Sequence, residues 1–535
     1  MDKLFFNGRV NSLDRHDRVY RAVGVTGEKI TALGEEAELR KSADSKTELI
    51  DLQGAVMFPG FIDSHTHFLV FAYLQTGLNL ADPGVKRLDD VLRLIKDAAE
   101  KTRPGEWIRG SRFTEYWLAE NRYPTRWDLD QVSPDHPVIL WHTSFHACVL
   151  NSKGLAALGI TRSSRSPDGG LIEKDPSTGE PNGVLQEAAM MNMAFRVLYP
   201  QDLEAMTPAD RMAMVVRGME KFNQVGVTAV ADCLVTPTAL AVYQETYNAG
   251  LARLRVYLMP ELLVSEGLMA SGLKTGFGHD WLKIGPIKIF IDGGMSNRSA
   301  AVSTPYLTPP HGRGMKMMSR TDLMATIKRV DDLGFQISVH CQGDDALTDL
   351  LDAFEGVLGP VSDNPRRHRI EHAGCLYPRL LERAAAMKLG VGVQPVFLSF
   401  LGDGFIEAFG RDGAGRLYPF RDMLAAGLAL GGGSDCPVSE HDPRLSFRDA
   451  VLRRTVAGEI IGPDQTLTMN QVLKLFTSGS AYLNHEDHLA GTIEPGKRAD
   501  FAVLAEDPQL RPAEEAPHIP VVMTVVGGRI VHRQY

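Results

Sequence analysis

The sequence predicts an α/β protein: a (β/α)8 TIM barrel with a small sheet drawn from both chain ends. Three observations lead there. Short Val- and Ile-rich runs recur through the middle, at 56–67, 227–233, 254–260, 287–292, 336–340, 369–372, 390–394 and 428–435. Helical patterning, such as 321–333, lies between most of them. Such runs read as buried parallel strands, and eight alternating with helices argue for a barrel. Both ends are β-rich, with turn-flanked runs at 5–10, 21–25, 30–33 and 48–52 and again at 499–504 and 521–531. The gap between the first run and the second is too long for one βα unit, so it is expected to hold an inserted subdomain.

The domain reading follows: 1–57 with 488–535 as the terminal β-domain, 58–487 as the barrel, and about 70–220 as a substrate-facing insertion. Composition suits an ordinary globular chain, with 44% hydrophobic and 23% charged residues among 535. The net charge of −9 argues against nucleic acid or an anionic membrane as partner. The five cysteines form no CxxC pair, which fits a reducing compartment. No signal-peptide core and no 18-residue apolar run are present. A cytoplasmic protein is expected, with a homodimer as the default assembly.

The stretch FIDSHTHF places His65 and His67 two apart at the end of the first run. Residues two apart share one side of a strand, so both imidazoles can reach one metal ion. Two core histidines are the alternative. The ends of the other runs decide between them: Lys288 and Asp292 in KIFIDGG, His340 in ISVHCQGDDA, His372 in RIEHAG and Asp435 in LGGGSDCPV. Chemistry on a barrel sits at the C-terminal ends of its strands, so these groups converge on a metal centre. A buried lysine favours its neutral form, and a neutral amine can become a carbamate whose two oxygens bridge two metals about 3.5–4 Å apart. A Lys288–Asp292 ion pair is the rival reading. The cysteines beside these groups, Cys341, Cys375 and Cys436, read as small packing residues rather than thiolate ligands.

With its longer blocks, the chain resembles the amidohydrolase superfamily and its amidohydrolase-3 (YtcJ-like) branch. The blocks are FPGFIDSHTH, PTRWDLD, HACVLNSKGLAALGI, KIFIDGG, VHCQGDDA, RIEHAG, GSDCPV and EPGKRADFAVL, spanning about 56–504. The resemblance implies a metal-dependent hydrolase of C–N bonds on a barrel with a composite β-sandwich. It implies that His65 and His67 hold one metal, Lys288 bridges, His340 and His372 hold a second, and Asp435 contacts metal and shuttles the proton. It also implies a substrate-facing His146, ahead of Asn151–Ser152. Two segments depart from the branch: Thr143–Ser144–Phe145 replaces a common Asp-Gly, and Cys-Gln-Gly-Asp-Asp-Ala follows His340. Both changes spare the ligand set and bear on the substrate.

The expected reaction is hydrolysis of an amide or N-substituted formamide-like bond by a metal-activated hydroxide. One or two divalent ions are expected, zinc first, with a carbamate on Lys288. Other classes stay open on these residues: ring-amine deamination or another non-amide reaction at the same centre, or a non-catalytic scaffold. Arg298 is a candidate for a substrate carboxylate or a surface salt bridge. Trp117, with Tyr116, is a candidate apolar wall or plain packing. Asp344 is a candidate for orienting a ligand histidine or capping a helix.

Overall fold

The apolar run Val56–His67, expected to be one strand, is two strands broken at Gly60. Val56–Pro59 pairs with Phe501–Leu504, whereas Phe61–Thr66 (β1) pairs with Val227–Val235 (β2). The break has a steric cause. A Cβ on residue 60 would lie 2.2 Å from Oγ1 of Thr228, and the Gly60 N–H donates to the Asp500 carbonyl at 2.8 Å. Only glycine lets the backbone approach this closely. Gly60→Ala is therefore expected to cost about 1–3 kcal/mol, because the stiff, buried threonine resists displacement. A urea titration checks it; an unchanged midpoint would show that Thr228 yields.

The structure is a computed structural model that describes all residues except 83, 116, 117, 144, 168, 310 and 535, and nothing of the Val264 side chain. Its central strands continue as Arg255–Pro260 (β3), Leu282–Ile284 (β4), Ile287–Phe290 (β5), Ile337–Cys341 (β6), Arg369–His372 (β7), Gly390–Val393 (β8) and Ala429–Gly432 (β9). One sheet runs in the order Gly278–His279, β4, β3, β2, β1, and the other runs β5 to β9. From β1 to β4 and from β5 to β9 every pairing is parallel. Only Gly285 and Pro286 separate β4 from β5. A parallel bridge between Glu261 and Lys288 links the sheets on one side. On the other, the Asp435 N–H donates to the His65 carbonyl at 2.7 Å. Each expected run thus carries a strand, and all but β5 and β9, each with one half-buried end residue, are buried along their length as a sheet covered on both faces requires.

Helices between the strands begin at legible signals. Thr207 and Thr236 cap Pro208–Gln224 and Pro237–Asn248, each accepting a backbone N–H at 3.2 Å, with proline in the first turn. The helix expected at 321–333 is Arg320–Asp332, capped by Ser319. Terminal segments build a four-stranded sheet and a six-stranded sheet, and the second joins Val56–Pro59 and Arg9–Asn11 to three C-terminal strands. Phe5, Val25, Met57, Phe501 and Val525 share one buried cluster there. Residues 78–187 supply a separate six-stranded sheet, from Leu78–Asn79 to Pro181–Glu187. Among the described residues no helix is long and apolar enough to cross a membrane.

Candidate active site

Asp435 is the hub. Its Oδ1 lies 3.1 Å from Nε2 of His67 and 3.3 Å from Nε2 of His65, yet it is buried and accepts no hydrogen bond of acceptable geometry. Ring nitrogens of His65 and His372 and a carboxylate oxygen of Asp435 all lie within 4.8 Å of one another. Lys288 Nζ is 3.4 Å from His65 Nε2, and the His340 and His372 rings are 4.5 Å apart. Imidazole nitrogens and a carboxylate oxygen aimed at one point, with that oxygen otherwise unsatisfied, are a donor set that fits a divalent metal. Burial holds His340 well below its ordinary pKa and His372 down at about 3, aided by neighbouring positive charge. Both are thus neutral, the form that ligates. Burial opposes the Asp435 charge, but His65 and His67 outweigh it and keep the carboxyl ionised.

The outer nitrogens are committed. His65 Nδ1 donates to Glu371 Oε2 at 2.6 Å, and His372 Nδ1 to Gln394 Oε1 at 2.7 Å. This turns each Nε2 toward the centre, with its lone pair free on His372. His65, despite its burial, is held well above its ordinary pKa by nearby negative charge, Glu371 and Asp435 included, and must give up its Nε2 proton to ligate. His340 is turned the other way: its Nε2 donates to the Gly293 carbonyl at 3.3 Å, which leaves Nδ1. Glu371 is itself held by Arg369 at 2.5 Å and Ser338 at 2.6 Å. Asp63 binds the Ser434 N–H and hydroxyl at 3.0 and 2.6 Å, fixing the segment that carries Asp435 against β1.

An amidohydrolase family profile matches residues 48–532. The chain belongs to the amidohydrolase family. It is 30% identical over 534 residues to the YtcJ protein of Bacillus subtilis, covering 97% of each chain. It is 30% identical over 543 residues to an N-substituted formamide deformylase of Arthrobacter pascens, covering 98% of this chain and 97% of that enzyme. The solved structure of an uncharacterized metal-dependent hydrolase from Pyrococcus horikoshii superposes with a TM-score of 0.78 at 26% identity, covering 96% of this chain and 99% of that one. This amidohydrolase is accordingly a mixed α/β, metal-dependent hydrolase acting on C–N bonds.

Above the centre of this amidohydrolase opens a cavity of about 370 Å³. Its walls include Phe145, Met190, Met191, Leu262 and Met318, with His146, Glu187, Arg196 and Lys316 as polar members. Five residues on the wall or at the centre, Phe145, Glu187, Leu234, His372 and Asp435, hold positive φ without being glycine. Such backbone costs about 1–3 kcal/mol each and collects at functional sites. His67 lies one residue beyond β1 and opens the helix Phe68–Leu74.

Several sequence expectations land elsewhere. Arg298 is not on the cavity wall; its guanidinium bonds Thr308 and the Ser296 carbonyl and pairs with Glu407 at 3.3 Å. Asp292 makes no ion pair with Lys288 among the described residues. Its two oxygens accept the backbone N–H groups of Ala301, Gln342 and Gly343, and burial raises its pKa to about 7. Asp344 neither caps the helix Asp344–Leu358, whose N-cap is Gly343, nor orients His340; it holds Ser303. Trp117 and Tyr116 lie outside the described residues. The donor cluster includes no cysteine among the described residues, and all five cysteines are buried. Glu187, Arg196, Glu371 and Gln394 were not singled out by sequence reading.

Proposed function

We propose that this amidohydrolase hydrolyses an amide or N-substituted formamide of a small molecule at a centre held by His65, His67, Lys288, His340, His372 and Asp435. The observation that carries the reading is the buried, unsatisfied Asp435 Oδ1 facing two imidazole nitrogens. Similarity to the formamide deformylase over nearly the whole chain supports the bond class. We read the two parallel sheets as halves of one (β/α)8 barrel, 58–487, with β4 and β5 as a single barrel strand interrupted at Gly285–Pro286 and an insertion over about 70–220. The terminal sheets are read as one composite sandwich, 1–57 with 488–535. Zinc is the proposed metal, with a carbamate on Lys288 between two ions, in a cytoplasmic enzyme.

A divalent metal held by these residues would supply Lewis acidity to a carbonyl oxygen and lower the pKa of a water toward neutrality. Asp435 takes the proton of the attacking water and returns it to the leaving nitrogen. Its ionised state, maintained by the neighbouring histidines, suits the first step. His146 lies on the cavity wall and hydrogen-bonds the substrate there. Glu371 and Gln394 keep the ligand rings from rotating. The apolar wall shields these groups from bulk water.

The test pairs elemental analysis of wild type and Lys288→Ala, purified without chelator, with a panel of N-substituted formamides and simple amides. About two metal equivalents falling in the variant are expected if a lysine carbamate bridges two ions. One equivalent, unchanged in the variant, would eliminate the bridge. Release of acid and amine from a panel member supports the hydrolase reading; ammonia release from a ring amine instead would replace it with deamination.

A further inference from the structure

Three chain segments meet at one carboxylate beside the cavity. Glu187 closes the strand Pro181–Glu187, and its Oε2 accepts Nδ1–H of His146 at 2.9 Å. Its Oε1 accepts the Ser299 hydroxyl at 2.9 Å and the Asn297 amide. The two residues are also tied through the backbone, because the Glu187 N–H donates to the His146 carbonyl at 2.8 Å. Asn297 and Ser299 belong to the loop that leaves β5, the strand of Lys288. Ser299 also accepts the Gly294 N–H at 2.9 Å. Glu187 holds a left-handed backbone at φ 51° to reach this position.

We propose that Glu187 is a positioning residue: its carboxylate locks His146 with the proton on Nδ1, so that Nε2 is the nitrogen addressing the substrate. This rests on the reading that His146 faces the substrate. The donor inventory makes the demand specific. An imidazole N–H, a hydroxyl and an amide NH₂ all point at one group, and an ionised carboxylate meets them with acceptors alone. A glutamine there must turn its own NH₂ toward one of those donors. Burial works against the Glu187 charge, but His146 outweighs it and keeps the carboxyl ionised.

Ring-nitrogen NMR of histidine-labelled, zinc-loaded protein tests this without any turnover, with the His146 signals identified by their loss in His146→Asn. Wild type is expected to show one His146 state with Nδ1 protonated, and Glu187→Gln to show a mixture or the opposite tautomer. Glu187→Asp, which keeps the charge, should restore part of the wild-type state and covers the case in which the glutamine variant folds poorly. An unchanged His146 spectrum in Glu187→Gln overturns the proposal. On any panel member that is turned over, Glu187→Gln is expected to lower kcat by about 10–100-fold with little change in KM, as lost orienting partners do. The loss should vanish in a His146→Asn background. An equal loss with and without His146 also overturns it. Failure of the whole panel with the tautomer shift intact would count against the hydrolase reading alone.

Discussion

Asp435→Asn is expected to lower kcat by about 10²–10⁴-fold, the range that a positioned acid–base group supplies, while metal content stays near wild type. The substitution is nearly isosteric and retains one carbonyl oxygen. That oxygen can occupy the position of Oδ1, 3.1 and 3.3 Å from the two ring nitrogens. What the amide cannot do is take up a proton and give it back. The carboxylate differs from its surroundings in this respect: His67, His340 and His372 are pushed toward their neutral forms, burial being the first cause in each. Asp435 is held ionised instead. Elemental analysis alongside kcat and KM on a hydrolysed panel member separates the two duties. If metal leaves together with activity, Asp435 acts chiefly as a ligand, and the proton must travel by another group.

The legible parts of this site are those where one segment declares its own chemistry. His65 and His67 stand two apart at a strand end, and His340, His372 and Asp435 end other apolar runs, so strand periodicity collects them; Lys288 stands second in its strand and is legible only as a lysine inside an apolar run. The illegible parts are contacts between segments. Glu187 is 41 residues from the histidine it holds, and Gln394 is 22 from His372; nothing local marks either. Arg196 follows the π-helical turn Met190–Phe195, a distortion with no plain sequence signal. For Arg298 the sequence leaves a substrate role and a salt bridge open, and the structure shows the salt bridge. It stands near the glycines after β5, but a backbone at φ 60° belongs to a turn that commits its guanidinium to Glu407 and Thr308. The boundary at Gly60 was hidden for a related reason: an apolar run continues through it, and only the approach of Thr228 separates one sheet from the other.

One pair is readable from the sequence itself. Arg369 and Glu371 sit two apart in a strand otherwise fit for the interior, and buried charges must find partners. Both side chains are fully buried, 2.5 Å apart. Arg369 also donates to the Ser64 carbonyl at 2.5 Å and to Asn484 at 3.2 Å. Burial alone would raise the Glu371 pKa, yet Arg369 and His65 hold it well below the usual carboxylate range.

Arg369→Met is therefore expected to cost about 3–5 kcal/mol, because it strands the Glu371 charge in the interior. The loss of methylene packing cannot account for it, since methionine replaces much of the stem. Adding Glu371→Gln should recover part of that stability by removing the uncompensated charge. It should not recover function. The glutamine offers His65 Nδ1 a neutral amide oxygen in place of the charged acceptor at 2.6 Å, and weakening such a partner lowers metal affinity by up to about 10–100-fold. Urea midpoints read the first effect, and zinc competition against a chelator reads the second. A double variant as unstable as Arg369→Met alone would show that the arginine works by filling space. A double variant with wild-type zinc affinity would show that His65 keeps its orientation without the carboxylate. The expected split, with stability returning and affinity lost, places the two charges in different roles: Arg369 makes Glu371 tolerable in the core, and Glu371 makes His65 a ligand.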